Sequence, residues 1–566
     1  MREGRGSVTR WAGRNRLLAS VLFAFGVAVA TGFTWGLPGS HSWAADSISP
    51  RSCGLGAIVE TYRPGHFHTY PPLHMALLSL LSLPWIALAA TRVGTGEQAL
   101  GLELIKVSYM TGIEVSARLL TAAMAISTLL LASRLWSRIG GRAVGIAAAV
   151  VIGTNATFVY YAHTGNLEVP YLFWVTWALV ELERVMKGEP REMRALLLST
   201  AAVLTKDQAA AALILPVAWV FVVPRLLPRP VPNSLRRPDG RRVVRAVLSA
   251  LATYAVASGA CVNPTGFRRR LAFLFGPASQ TWAGYPPGLR GALALGCDAV
   301  RATSHFTSRA IGIAAVLGLV VAVAKTTGVD RARRLLPFAA AASFTLFFTL
   351  SARRSDDRFL LPQSVFFFPY AGFALSTAWR AWPRARAALA PGAAFACLPA
   401  VVGVASLDAT LLFDPRYEAE RLLERLPRGT HVEVFGGPIF LPRVPRTLVA
   451  VRPGVEPVAD RQRIAGVDDL VDPAMDPRPR APAVIVLATE LSRDEAAAPP
   501  GQVPPFGLMQ YRDARSRAFL HELTGGSLGY VRALRAKCTL PWPLECREIH
   551  HSTAGEVWIY VRGPSA

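Results

Sequence analysis

The sequence predicts a polytopic α-helical membrane protein, with about eleven transmembrane helices, an interfacial helix and a C-terminal soluble α/β domain. Three observations predict it. Apolar residues make up 52% of the 566 and charged residues only 17%. Apolar runs near the ~20 residues that cross about 30 Å of hydrocarbon recur as far as residue 408 and then stop. The 61 Lys and Arg outnumber the 37 Asp and Glu, a net charge of +24, yet most of this excess falls in the N-terminus and five short loops. That distribution excludes a soluble nucleic-acid binder, which needs its cations on a solvated surface, and the apolar content excludes a disordered chain. The six cysteines are scattered without a CxxC pair, so neither a zinc site nor a dense disulfide scaffold is indicated.

The first apolar run, 17–37, follows Arg2, Arg5, Arg10, Arg14 and Arg16, which hold residues 1–16 on the cytoplasmic side of a first span. A cleavable signal peptide is the alternative, with Trp43-Ala44-Ala45 near the cleavage position. Further runs lie at 117–134, 143–162, 169–182, 193–205, 208–224, 243–262, 306–324, 335–351, 359–379 and 387–408. One more, 73–90, is interrupted by Pro84, and charge decides its placement. Five basic loops follow: Arg134 to Arg142, Arg184 to Arg194, Arg225 to Arg245, Lys325 to Arg334 and Arg380 to Arg386. All five are cytoplasmic, as the positive-inside bias requires, only if 73–90 lies in the outer interface instead of crossing.

This parity puts five regions outside: the loop 38–116, the turn 162–168, Lys206-Asp207, the loop 263–305 and the turn 352–358. It divides the chain into a basic N-terminus (1–16), a membrane core (17–409) and an outer domain (410–566). In that domain Asp414-Pro415 opens an amphipathic helix over 417–426, and 431–435, 483–487 and 556–562 read as strands. Cys538 and Cys546 lie on the oxidising side and could form a local disulfide.

An ionisable residue at membrane depth costs a few kcal/mol, so each one asks for a reason. The outer regions hold many: Asp46, His66, His68, Glu114 and Arg118, then His163 and Glu168, Lys206 and Asp207, Arg268 to Arg270, and Arg353 to Arg358. Separate acidic positions with several cations suit transfer chemistry on an anionic, membrane-embedded substrate.

Five stretches then resemble a family in order along the chain. Trp43-Ala44-Ala45-Asp46 follows the first span, and His68-Thr69-Tyr70-Pro71-Pro72-Leu73 opens the interfacial helix. Tyr161 to Glu168, with Pro170 and Trp174, comes next. Leu204-Thr205-Lys206 and Arg358-Phe359-Leu360-Leu361-Pro362 complete the set. Over about residues 15–410 the chain resembles the C-type membrane glycosyltransferases. More narrowly it resembles the protein O-mannosyltransferase and lipid A aminoarabinose transferase group, glycosyltransferase family 39-like.

The resemblance implies inverting transfer of a hexosyl or pentosyl group from a polyprenyl-phosphate sugar to a lipid, glycan or protein acceptor, at the bacterial inner membrane. It implies Asp46 as base and Glu168 as second acid, with Lys206, Arg358, His68, Tyr70 and Arg118 on the substrate and its lipid phosphate. It demands no cofactor and leaves room for a divalent metal. The chain departs from the pattern in three places: Ser47 follows Asp46 where a second acid is common, Glu168 replaces an Asp, and Tyr70 stands where a basic residue is frequent. Simpler roles compete. Asp46 could cap the interfacial segment, Glu168 could be a first-turn acid favoured by the helix dipole, and Arg268 to Arg270 could hold lipid headgroups. A transporter or flippase for a lipid-linked glycan is the alternative function, although no internal repeat is visible.

Overall fold

The computed structural model describes residues 15–39, 42–47, 54–222, 239–280, 283–454, 457, 463–488, 514–549, 552–553 and 555–563. Arg2, Arg5, Arg10 and Arg14, Arg225, Arg229, Arg236 and Arg237, and the C-terminal residue lie outside the described residues. The chain forms two compact units. One comprises Met1–Phe33, Cys53–Leu81 and Ser116–Ala405; the other comprises Thr34–Ser52, Ser82–Val115 and Ser406–Ala566. The second unit thus joins much of the loop 38–116 to the C-terminal domain.

Among the described residues, five helices are long and apolar enough to cross a membrane: Pro72–Val93, Val107–Gly140, Gly328–Ala352, Asp357–Ala381 and Pro383–Glu424. A sixth span results if Arg142–Gly153 and Ala156–His163, which meet at a 66° bend, count as one. Arg16–Ala30, Ala209–Phe221 and Arg309–Ala324 are shorter apolar helices. Eleven full-length spans are therefore not reached among the described residues, and the 143–162 run shows why. Asn155 interrupts it: its side chain accepts from the Phe158 N–H at 3.0 Å, starting a new helix, and its amide donates to Ser364 Oγ at 2.9 Å. Conversely, the run expected to lie in the interface continues through Pro84 as a 22-residue helix. The run at 117–134 extends to 34 residues, about 51 Å at 1.5 Å per residue.

In the first unit, Glu168–Met186 and Glu192–Thr205 form a helical hairpin. Its Glu183 end is held by charge. Glu183 is fully buried and accepts from Arg138 Nε at 2.5 Å and Arg333 Nε at 2.9 Å, while Glu181 meets Arg194 Nε at 3.3 Å. Three of the basic loops read from the sequence therefore converge at one end of helix Glu168–Met186. Glu168, at the other end, is about 22 Å away along the axis.

The second unit contains a six-stranded sheet. Its strands are β1 (His431–Phe435), β2 (Val449–Gly454), β3 (Val467–Val471), β4 (Val484–Ala488), β5 (Tyr530–Lys537) and β6 (Glu556–Arg562), in the order β3-β2-β1-β4-β6-β5. The first four are parallel; β6 runs antiparallel to both β4 and β5. Helix Pro415–Glu424 begins as expected, with Asp414 accepting from the Arg416 N–H at 3.0 Å and Pro415 in the first turn. Its Ala419 and Leu423 pack with Val432, Val434, Val486 and Ile559 in the apolar core. Cys538 and Cys546 are bridged.

Candidate active site

Glu168 and Lys206 are 38 residues apart in sequence and meet through two helix ends. Glu168 is the first residue of helix Glu168–Met186, where the exposed N–H groups favour an anion. Lys206 closes helix Glu192–Thr205, leaving it in an extended conformation (φ −154°, ψ 126°) that turns its side chain back. Its Nζ donates to Glu168 Oε1 at 2.6 Å, with both side chains under a tenth exposed. The same Nζ sits 5.7 Å above the ring of Tyr171, one turn along from Glu168. Tyr171 is buried, and its hydroxyl finds no hydrogen-bond partner among the described residues. The next residue, Asp207, forms an ion pair with the buried Arg270 of helix Pro264–Phe275. One turn thus carries two ion pairs of opposite polarity.

An ammonium has three donors. Glu168 uses one, so the Lys206 charge is held in place while donors remain for a second anion. Arg358 lies in the first turn of helix Asp357–Phe367, half-buried, with its guanidinium 4.6 Å from the centre of the Phe359 ring.

Arg118, His68 and Tyr70, the remaining residues expected at the substrate, make backbone contacts, as does His163. Arg118 is fully buried and donates through Nη1 to the Phe33 carbonyl at 2.6 Å. His163, also buried, has Nε2 2.9 Å from the Ala28 oxygen and 2.7 Å from the Thr31 oxygen. Both therefore satisfy carbonyls at or just beyond the end of helix Arg16–Ala30. His68 accepts from the Tyr70 N–H at 3.2 Å, shaping the turn before helix Pro72–Val93.

Asn263 was not singled out by the sequence, yet it organises two loop segments. Its amide donates to Thr61 O, Arg63 O and His66 O, and its oxygen accepts from Gly65 and Gly266 N–H groups, all between 2.7 and 3.1 Å. The readable signal was Asn263-Pro264, a cap followed by a proline in the first turn.

Asp46 belongs to the second unit. It is exposed, in a turn with φ +56°, while Trp43, Ala44 and Ser42 just before it are buried. The Ala45 N–H donates to Ser552 Oγ at 2.7 Å, and Ser47 Oγ reaches Glu114 Oε1 at 3.4 Å. Among the described residues, no group of three or more His, Cys, Asp or Glu is placed to hold a metal ion.

No family model matches the sequence, and no curated protein matches it. Solved structures do. ArnT from Cupriavidus metallidurans in the apo state is 14% identical, with 99% of this chain and 100% of that one covered and a TM-score of 0.50. ArnT bound to undecaprenyl phosphate is also 14% identical, covering 98% and 100%, with a TM-score of 0.48. An Archaeoglobus fulgidus oligosaccharyltransferase tethered with an acceptor peptide is 12% identical, covering 75% of this chain and 62% of that one, with a TM-score of 0.44. The apo ArnT match spans essentially both chains, and with the apolar helices and the C-terminal sheet it fixes the architecture. The chain is an integral membrane protein with the fold of a C-type membrane glycosyltransferase.

Proposed function

We propose that this protein is a glycosyltransferase that moves a hexosyl or pentosyl group from a polyprenyl-phosphate donor to a lipid, glycan or protein acceptor on the extracytoplasmic face of a bacterial inner membrane. The observation that carries the reading is the buried Glu168–Lys206 pair beside Tyr171, on the ArnT fold. ArnT has been crystallised with undecaprenyl phosphate, and the proposed donor is a lipid of that class carrying a sugar. A buried ion pair rarely repays its desolvation through stability alone, so an anion-handling role gives this one a reason. Nucleotide sugars are cytoplasmic, so an outward-facing reaction requires a lipid-linked donor.

In the proposed reaction the Asp46 carboxylate accepts the proton of an acceptor hydroxyl or amine. The acceptor atom bonds to the anomeric carbon from the face opposite the phosphate. The carbon–oxygen bond to phosphate breaks, its electron pair stays on the phosphate, and polyprenyl phosphate leaves with one more negative charge. Lys206, through the donors that Glu168 leaves open, and Arg358 stabilise that developing charge electrostatically. Glu168 holds and aims the lysine, which makes it the second functional acid. His68, Tyr70 and Arg118 shape the substrate side in this reading.

Lipid profiling of a strain lacking the gene tests the reading: polyprenyl-phosphate sugar accumulates and one glycan loses a residue. An unchanged lipid-linked sugar pool together with an unchanged glycan complement would contradict it.

A further inference from the structure

Asp46 has an unusual support. Three residues before it, the Trp43 ring is almost completely buried, and the Arg416 guanidinium lies 4.0 Å from its ring centre. Arg443 approaches the same ring at 5.3 Å. Trp35 meets Trp43 edge-on at 6.0 Å, and Tyr417 lies 5.2 Å away. The approach is close enough to dictate sequence: Gly36 has φ +72°, and a Cβ there would lie 2.9 Å from Trp43 Cδ2. The start of the loop is tied to one helix, because Trp35 Nε1 donates to Asp414 Oδ2 at 2.9 Å and the Gly36 N–H donates to the Tyr417 hydroxyl at 3.1 Å.

Arg416 joins these contacts to the catalytic turn. Its guanidinium grips the Asp414 carboxylate through two donors, at 2.8 and 2.6 Å. Nη2 also donates to the Ser552 carbonyl at 2.8 Å, and Ser552 Oγ accepts the Ala45 N–H at 2.7 Å. Asp46 follows directly, in a left-handed conformation (φ +56°) that a non-glycine residue keeps only where its surroundings impose it. All these residues belong to the second unit.

We propose that Arg416 and Ser552, supplied by the C-terminal domain, are positioning residues for Asp46: they fix the Trp43–Asp46 turn and so set the direction of the base. The C-terminal domain is then part of the catalytic apparatus through its hold on the first outer loop. Lys cannot reproduce the planar fork that Arg416 uses against Asp414, Ser552 and Trp43 together. The inference rests on Asp46 being the base, and a misplacement of about 1 Å at such a group costs roughly 10²-fold in rate.

The test combines transfer kinetics with hydrogen exchange on the full-length protein, using a polyprenyl-phosphate sugar donor in proteoliposomes. Arg416→Met should lower kcat about 10²-fold, with KM for the donor changed less than twofold, and Arg416→Lys should recover part of the loss. In an Asp46→Asn background, Arg416→Met should cause no further loss, because it acts through the missing base. Ser552→Ala is the milder variant should Arg416→Met fail to fold; it should speed exchange of the Ala45 amide without changing β4. Wild-type kcat in folded Arg416→Met, an equal fold-loss in the Asp46→Asn background, or unchanged Ala45 exchange in Ser552→Ala would each overturn the proposal. Wild-type transfer by Asp46→Asn alone would instead remove the base assignment, while the exchange measurement would still report on the clamp.

Discussion

Neutralising Lys206 and Glu168 one at a time and then together separates their structural work from their chemical work. Lys206→Met leaves the Glu168 carboxylate, with its side chain 3% exposed, facing Tyr171 without a counter-charge. Glu168→Gln leaves an ammonium 9% exposed with a weaker acceptor. Breaking a buried pair from one side costs about 3–5 kcal/mol, whereas replacing both charges by uncharged groups is often near neutral. Each single variant should therefore unfold several degrees below the wild type in detergent or nanodiscs, and Glu168→Gln/Lys206→Met should regain most of that loss. The coupling energy, the two single losses less the loss of the double variant, should therefore be about 5 kcal/mol or more, above the roughly 0.5–3 kcal/mol usual for groups in contact. Sugar transfer should stay lost in all three variants, because the double variant restores stability and not the phosphate donor. Additive losses in the double variant would refute the coupled-pair argument. Wild-type transfer by the double variant would make the pair purely structural.

Other outcomes follow from the same geometry. Glu183 is fully buried between Arg138 and Arg333, so Glu183→Gln should destabilise by about 3–5 kcal/mol in thermal unfolding while leaving kcat per folded molecule unchanged. An epitope placed after Ala566 should be reached by an impermeant reagent added outside intact cells; protection there would reverse the proposed orientation. In β6, burial raises the Glu556 pKa, but hydrogen bonds from Arg535 and Trp558 outweigh it and leave it below the usual value. Its stabilising contribution is therefore present above about pH 4.3, the unfolded value, and disappears as pH falls through the lower folded value. The stability gap between wild type and Glu556→Gln should narrow on acidification in that window, and a gap that widens would contradict the assignment.

Much of this architecture is legible in the sequence because hydrophobic length and charge placement are local signals. The apolar runs become helices at nearly the expected places, and Asp414-Pro415 starts the helix it announces. β1, β4 and β6 were readable as apolar strands; β3 and β5 were not, because they form the two edges of the sheet and carry charge. β2 hides behind Pro453 and the buried Arg452, whose charge is answered by Asp469 directly across on β3. The bend at Asn155 depends on Ser364, 209 residues away, and no window of sequence contains both.

The same limit governs the site. Residue type and position suggested Glu168 and Lys206 separately, but only the fold shows that they are paired. Arg118 was singled out as an ionisable residue near lipid, and only the fold shows that it also meets the Phe33 carbonyl and that His163 meets carbonyls beside the same helix. The hold of Arg416 on Trp43 links residues nearly four hundred positions apart, so the sequence offered only an aromatic and a cation with no reason to connect them.

The most direct measurement is transfer itself: purified protein in proteoliposomes containing a panel of labelled polyprenyl-phosphate hexoses and pentoses, with label followed into acceptor and released lipid phosphate quantified. The account predicts inverted product and stoichiometric polyprenyl phosphate from the wild type for at least one donor, and at least a 10³-fold slower rate from folded Asp46→Asn, since the base is removed and its position is not. Wild-type turnover by Asp46→Asn, or movement of intact lipid-linked sugar across the bilayer with no cleavage of the phosphate–sugar bond, would contradict it.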